Sequence, residues 1–185
     1  VLAVGGSTLV GDAQHDMMKR LPYMGVLIAL GVDGFSPDEE GGTVSLRSDG
    51  RVRLDYSVTD RHAEAFRAAH LAMARIELAA GAEVVQSTHN TPIVLKEEKD
   101  LESLGRAPYG ALEHPIFTAH QMGGCAMGAD PATSVVDPTF RHHDVKNLFV
   151  VDGSVMPTSL GVNPSETIYA MARGASAHVG DALKR

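Results

Sequence analysis

Residues Asn147 to Ala172 read NLFVVDGSVMPTSLGVNPSETIYAMA. The first six form an apolar run with the length of a buried strand, closing on the carboxylate of Asp152. Past the Asp152-Gly153 pair, Asn163-Pro164-Ser165-Glu166 reads as a helix start. Asn caps helices well, Pro suits the first helical position, and Glu three residues after the cap closes a capping-box-like turn. The helix is predicted to run from Pro164 to about Leu183. An acid at the carboxyl end of a strand and the free N–H groups of a helix start are both places where ligands bind. Asp152 is suited to accept from ligand hydroxyls, and Gly153 would let backbone approach a phosphate or polyhydroxyl chain. Asp-Gly equally serves to end a strand in a turn, and both readings stand at this point.

Upstream lies IFTAHQMGGCAMGADP, Ile116 to Pro131. Here His120 follows the apolar strand-like IFTA and precedes a glycine turn. Imidazole titrates near neutrality unaided, so His120 is a candidate base, with a hydrogen-bonded structural histidine as the other reading. His120, Cys125, His142 and His143 match no zinc spacing, and no metal is expected. Cys125 reads as a small buried hydrophobe. A serine hydrolase needs a nucleophile elbow, and G-x-S-x-G is absent; Gly5-Gly6-Ser7 and Asp152-Gly153-Ser154 do not replace it. G-x-G-x-x-G is absent too. His15, His62, His70, His89 and His178 read as surface or helix-face residues with structural roles. Downstream, Ala170, Ala172, Gly174, Ala175 and Ala177 would let the last helix lie close to a sheet.

Toward the start, Met24–Asp33 (MGVLIALGVD) predicts a buried strand and FSPDEEGG a polar loop. Val44 and Leu46 alternate against Val52, Leu54 and Tyr56 across Asp49-Gly50, which predicts a β-hairpin. From Asp60 to Ala80 the period becomes helical, with Phe66, Ala69, Met73, Ile76 and Ala80 on one face and Gly81 as the stop. Glu83–Ser87 reads as a short strand. His89–Gly110 reads as a long charged loop with a helical turn or two near Lys99, of the kind that forms lids or binding segments.

The 185 residues can bury a real core, and 44% are hydrophobic, as in an ordinary globular protein. A net charge of −7 without a Lys/Arg block argues against nucleic acid or an acidic membrane. No apolar run reaches transmembrane length. One cysteine rules out an internal disulfide framework and fits a reducing, cytoplasmic setting. The opening VLAVGGSTLV reads like the interior of a longer chain, so a fragment is expected.

Taken in order, H-Q-M-G-G-C-A-M-G, S-V-V-D and N-L-F-V-V-D-G-S-V-M-P-T-S-L-G-V-N-P-S-E-T-I-Y-A-M-A closely resemble the C-terminal signature of the glucose–methanol–choline (GMC) flavin oxidoreductases. The likeness covers about Ala119 to Val179, and its G-G-C and G-V-N-P elements are most similar to the cholesterol oxidase and long-chain alcohol oxidase branch. Asp49–Ala82 is similar, more loosely, to that branch's substrate-domain segment. The resemblance implies an α+β fold. A mostly antiparallel substrate-domain sheet with helices on one face would occupy residues 1–115. Residues 116–185 would return to the FAD-binding α/β domain with a strand and the terminal helix. It implies His120 as the active-site histidine and Asn163 as its partner. Asp152, Gly153, Asn163, Pro164 and Ser165 would contact the cofactor, FAD. The N-terminal half that grips the ADP part of FAD is missing here, so it becomes a required partner, and this chain alone should bind FAD little and turn nothing over. The implied reaction is oxidation of a small-molecule alcohol at CH–OH by hydride transfer to flavin N5. The alternative is a ligand-binding module that keeps the fold without the chemistry.

Overall fold

The computed structural model describes residues 7–34 and 41–184. Gly5-Gly6 and most of the FSPDEEGG segment lie outside the described residues. The chain divides into two compact units, one drawn from residues 1–31 and 42–117, the other from 32–41 and 118–185. Helices and small antiparallel sheets together make an α+β fold.

The first unit holds α1 (Gly11–Lys19), the hairpin β1 (Gly42–Leu46) and β2 (Val52–Tyr56), α2 (Asp60–Ala79), the short pair β3 (Val85–Gln86) and β4 (Val94–Leu95), and α3 (Leu101–Gly105). The hairpin forms where the sequence places it, pairing Val44 with Leu54 and Leu46 with Val52. Gly50 takes φ +79°, its N–H donates to the Arg47 carbonyl at 2.9 Å, and the Asp49 carboxylate accepts from the Arg51 N–H at 3.0 Å. Every residue of both strands is exposed.

Both ends of α2 are tied. The Thr59 hydroxyl accepts from the His62 N–H, and the His62 ring accepts from the Thr59 N–H, so a histidine fills the return half of a capping box. At the other end Gly81 adopts φ +91°, its N–H donates to Leu78, and Ala82 donates to Glu77, which is a Schellman closure. The buried face differs from the predicted one. Ala74 is buried and Leu71 packs on the core, whereas Ile76 is 59% exposed. The face turned inward is set by what lies opposite, and that is the 93–104 segment.

That segment is not a loose loop. Leu95, Leu101 and Leu104 join Ala74 in the core, with Leu71, Val85 and Ile93 against them. The intervening KEEKD residues make a turn: Asp100 Oδ2 accepts from the Lys96 and Glu97 N–H groups at 2.9 and 3.2 Å. These bonds hold the Asp100 carboxyl below its usual range. The Met24–Asp33 run forms no strand and is largely exposed, with Val26, Ile28 and Leu30 about half accessible. A continuous apolar strand needs neighbours on both edges and faces, and none pairs with it among the described residues.

The second unit packs α4 (Ser165–Leu183) through Ala175 and Met171 onto Val136, Phe140 and Val155. Its remaining segments meet in single bridges, Met127 with Val136, Val136 with His142, and Arg141 with Phe149. Asn147–Asp152 is therefore not a laddered strand, because only Phe149 finds a bridge partner. Of the small residues in α4, Ala175 alone is buried; Ala170, Ala172, Gly174 and Ala177 face outward.

Leu104 is 1% exposed in a small core. Leu104→Ala should cost the first unit about 2–5 kcal/mol, read as a lower urea midpoint at unchanged slope.

Candidate active site

The second unit lays the HQMGGCAMG segment against DGSVMP. The Cys125 N–H donates to the Ser154 carbonyl and the Met127 N–H to the Val155 carbonyl, both at 2.9 Å. Gly153 sits in this seam because nothing larger fits. A Cβ there would lie 3.2 Å from the Gln121 carbonyl oxygen and 3.3 Å from the Ile168 side chain. The glycine thus serves close approach to the protein's own backbone, a role that the ligand-based reading did not contain. Ile168, on the second turn of α4, completes the contact.

His120 stands at the head of the seam. It takes φ +61°, in the left-handed region that a non-glycine residue enters at a cost of about 1–2 kcal/mol. Gly123, three residues on, takes φ +85° in the same turn-rich stretch. The His120 ring is half-buried and enters no hydrogen bond among the described residues. Asn163 is exposed and likewise makes none.

The predicted capping box at Asn163 and Glu166 does not form. The helix begins one residue later, at Ser165, with Pro164 buried in the cap position and its carbonyl accepting from the Ile168 N–H at 2.9 Å. Proline has no side-chain acceptor, so no side chain caps the first turn. Ser165 and Glu166 are exposed at this open end.

Asp152 does close a turn. Its Oδ1 accepts from the Ser154 N–H at 2.8 Å and the Ser154 hydroxyl at 2.5 Å, capping the single 3-10 turn Gly153–Val155. These bonds hold its carboxyl below the usual range. Both fall on Oδ1, so turn closure uses one oxygen of the two.

The other polar candidates have structural partners. His142 Nδ1 accepts from the Asp144 and Val145 N–H groups. His143 Nε2 meets the Ser134 hydroxyl at 2.9 Å, and that hydroxyl also reaches the Asp130 carbonyl at 2.6 Å. Among the described residues no group of three or more His, Cys, Asp or Glu is placed to hold a metal ion. No helix among them is long and apolar enough to cross a membrane.

The GMC oxidoreductase family model matches residues 37–172, and the chain belongs to that family. It is 35% identical over 156 residues to a long-chain-alcohol oxidase of Arabidopsis thaliana, covering 80% of this chain and 21% of the relative. A cholesterol oxidase of Acinetobacter baumannii is 52% identical over 63 residues, 34% of this chain and 11% of the relative. A paromamine 6'-oxidase of Streptomyces fradiae is 49% identical over 69 residues, 37% of this chain and 13% of the relative. The chain thus spans about a fifth or less of the length of these relatives. No solved structure matches it.

Because the atoms nearest a Gly153 Cβ include a backbone oxygen that cannot swing aside, Gly153→Ala should destabilise the second unit by about 1–3 kcal/mol. Chemical denaturation followed by near-UV circular dichroism measures it.

Proposed function

We propose that this chain is the catalytic C-terminal portion of an FAD-dependent oxidoreductase that oxidises the CH–OH group of an alcohol. One observation carries the reading: within the family signature, His120 is held in a left-handed turn with its imidazole uncommitted. Strained backbone of this kind persists where the surroundings enforce it and clusters at working sites.

The residues present fit FAD. The uncapped first turn of α4 offers N–H groups and the positive end of a helix dipole, suited to the electron-rich edge of an isoalloxazine ring. Pro164 and Ser165 would bring that backbone to the ring, and Asp152, through the oxygen its turn leaves over, would accept from the ribityl hydroxyls beside Gly153. Bound FAD would supply the hydride acceptor, flavin N5. An imidazole nitrogen of His120 would take the hydroxyl proton. Free imidazole has a pKa of about 6.5, far below that of an alcohol, so proton transfer belongs with departure of the hydride rather than before it. Asn163 takes no proton, but its amide N–H would hold the substrate oxygen in line.

Residues 1–115 would then belong to the substrate domain and 116–185 to the FAD domain, whose ADP-gripping half lies upstream in the whole protein. Long-chain alcohols and sterols are the substrate classes that the relatives' names favour.

The test is an absorbance spectrum of the chain purified alone and co-expressed with its upstream half. Flavin bands should appear only in the co-expressed sample and bleach on adding alcohol. His120→Ala should keep the bands but slow bleaching roughly 10²–10⁴-fold. Asn163→Ala should lower kcat about 10²-fold, equivalent to roughly 3 kcal/mol. A colourless co-expressed complex would reject the reading in favour of a ligand-binding module without redox chemistry.

A further inference from the structure

The first unit brings together three histidines, two of them buried, that the sequence reading left on the surface or did not single out. His89 is 3% and His114 5% exposed, and His70 lies beside them on α2. The three ring centroids are 5.1–5.4 Å apart, and Tyr109 packs against all of them at 4.9–5.6 Å. Each Nδ1 is anchored: His70 to the Phe66 carbonyl at 2.8 Å, His89 to the Ser87 hydroxyl at 3.0 Å, His114 to the Pro115 carbonyl at 3.3 Å. The Nε2 atoms of His89 and His114 are buried with no hydrogen-bond partner.

The loop these rings hold is strained. Gly110 takes φ +133°, which glycine tolerates, whereas Leu112 takes φ +67° although the residue is 89% exposed. Local burial therefore does not compensate the Leu112 backbone. The loop is fastened instead by Asn90, whose N–H donates to the Glu113 carbonyl at 3.0 Å and whose amide donates to Leu112, and by the Tyr109 hydroxyl on Leu104. The loop forms one wall of an open cleft of about 410 Å³, bounded also by Val58, Asn90 and Ile116.

We propose that the His70, His89 and His114 rings, packed on Tyr109, are an acid-released latch: while His70 and His89 are uncharged the cluster holds the 109–114 loop against α2, and on their protonation it releases the loop and widens the cleft. The groups facing the cluster are few. From α2 come Arg67, whose guanidinium lies 5.3 Å from the Tyr109 ring centre and pairs with Glu64, and Phe66, edge-on to His114. From the 87–90 segment come Ser87 and Asn90, and from the loop itself Tyr109. No carboxylate among the described residues hydrogen-bonds any of the three rings. A proton added to His89 would be favoured only by the Pro108 backbone and opposed by burial and by the His70 and His114 rings.

Burial accordingly makes His70 and His89 harder to protonate, and the neighbouring histidines add to this. Burial also pushes the Tyr109 hydroxyl up to about 12, so it supplies no counter-charge. Because the closed-state pKa values of His70 and His89 are lowered, the open state binds more protons. The stabilisation is complete above the ordinary imidazole range and is lost as the pH falls through it toward the closed-state values.

Hydrogen–deuterium exchange of the chain and of the full-length protein, from pH 8 to pH 5 with intrinsic rates corrected, tests the latch. Protection of amides 109–114 should fall below about pH 6.5, by up to tenfold per pH unit for each proton taken up. Amides of α4 should hold over the same range. The paired change His89→Phe with His114→Phe keeps two rings without charge and should flatten the slope. PH-independent protection in the wild type, an unchanged slope in the variant, or loss of α4 protection in step with the loop would each overturn the proposal. Should the variant not fold, histidine Cε1–H titrations of the wild type decide instead. Resonances of His70 and His89 that titrate while loop protection stays constant would refute the latch, and titration in step with loop release would support it.

Discussion

The second unit depends on one close approach, the seam in which residues 121–127 lie on 153–155. Two backbone hydrogen bonds set its register, and the absent Cβ of Gly153 sets its depth. Everything else in the unit is positioned from there. Val155 goes inward to meet Ala175 of α4, and Met127 passes to its bridge with Val136. Ile168 is held against Gly153, which fixes where the first turns of α4 lie relative to the histidine segment. A seam of backbone on backbone tolerates little error, since interiors pack too densely to absorb an extra methyl group without displacement. This explains why so much of the segment is glycine, alanine and serine, and why precision here requires little apolar area.

Apolar area is left uncovered in the first unit. Val44, Leu46, Val52, Leu54 and Tyr56 occupy one face of the hairpin, alternating with Thr43, Ser45, Arg53 and Asp55, and all five are more than half exposed. Alternation of this kind is the pattern of a sheet with one solvated and one buried face. A two-stranded ribbon alone is marginal in water, so the pairing gains stability only when a further layer covers that face. The Met24–Asp33 run is uncovered in the same way. A family whose members have several times this chain's length has material for both, and the proposed upstream half is the simplest source of it.

Local chemistry was legible in the sequence wherever a residue type dictates its own backbone. Asp49-Gly50 makes its turn, Gly81 ends α2 and α4 opens within the Asn-Pro-Ser-Glu stretch, though without the expected side-chain cap, because backbone propensity acts within a few residues. What depends on the opposite surface was not. Ile76 has the right period for a core face, but Leu95, Leu101 and Leu104 select Leu71 and Ala74 instead. Those leucines were hidden by the charged KEEKD residues between them, which form a turn and leave the apolar flanks free to pack. His89 and His114 lie far apart in sequence and converge only through tertiary structure, so no spacing rule could have joined them. His70 alone carried a signal, since it precedes Leu71 and stands four residues before Ala74 on the α2 face that is buried.

Two departures from local preference then acquire a common sense. A helix whose first turn has no side-chain cap forgoes about 1 kcal/mol relative to one closed by Ser, Asp or Asn. The sequence has Asn163 and Ser165 on either side of the cap position, so a better cap was one residue away in either direction. A histidine at φ +61° forgoes a similar amount against glycine, and glycines stand close by at 123 and 124. Stability alone would favour a change at each, since either is a single substitution. Both sit at the seam, His120 heading it and the first turn of α4 anchored to it through Ile168. Free N–H groups attract negative charge, and an uncommitted imidazole accepts a proton. Those are the two things that removal of a hydride and a proton from an alcohol demands of its surroundings. Their joint presence at the seam is what the proposed chemistry would use and what a non-catalytic module would not require.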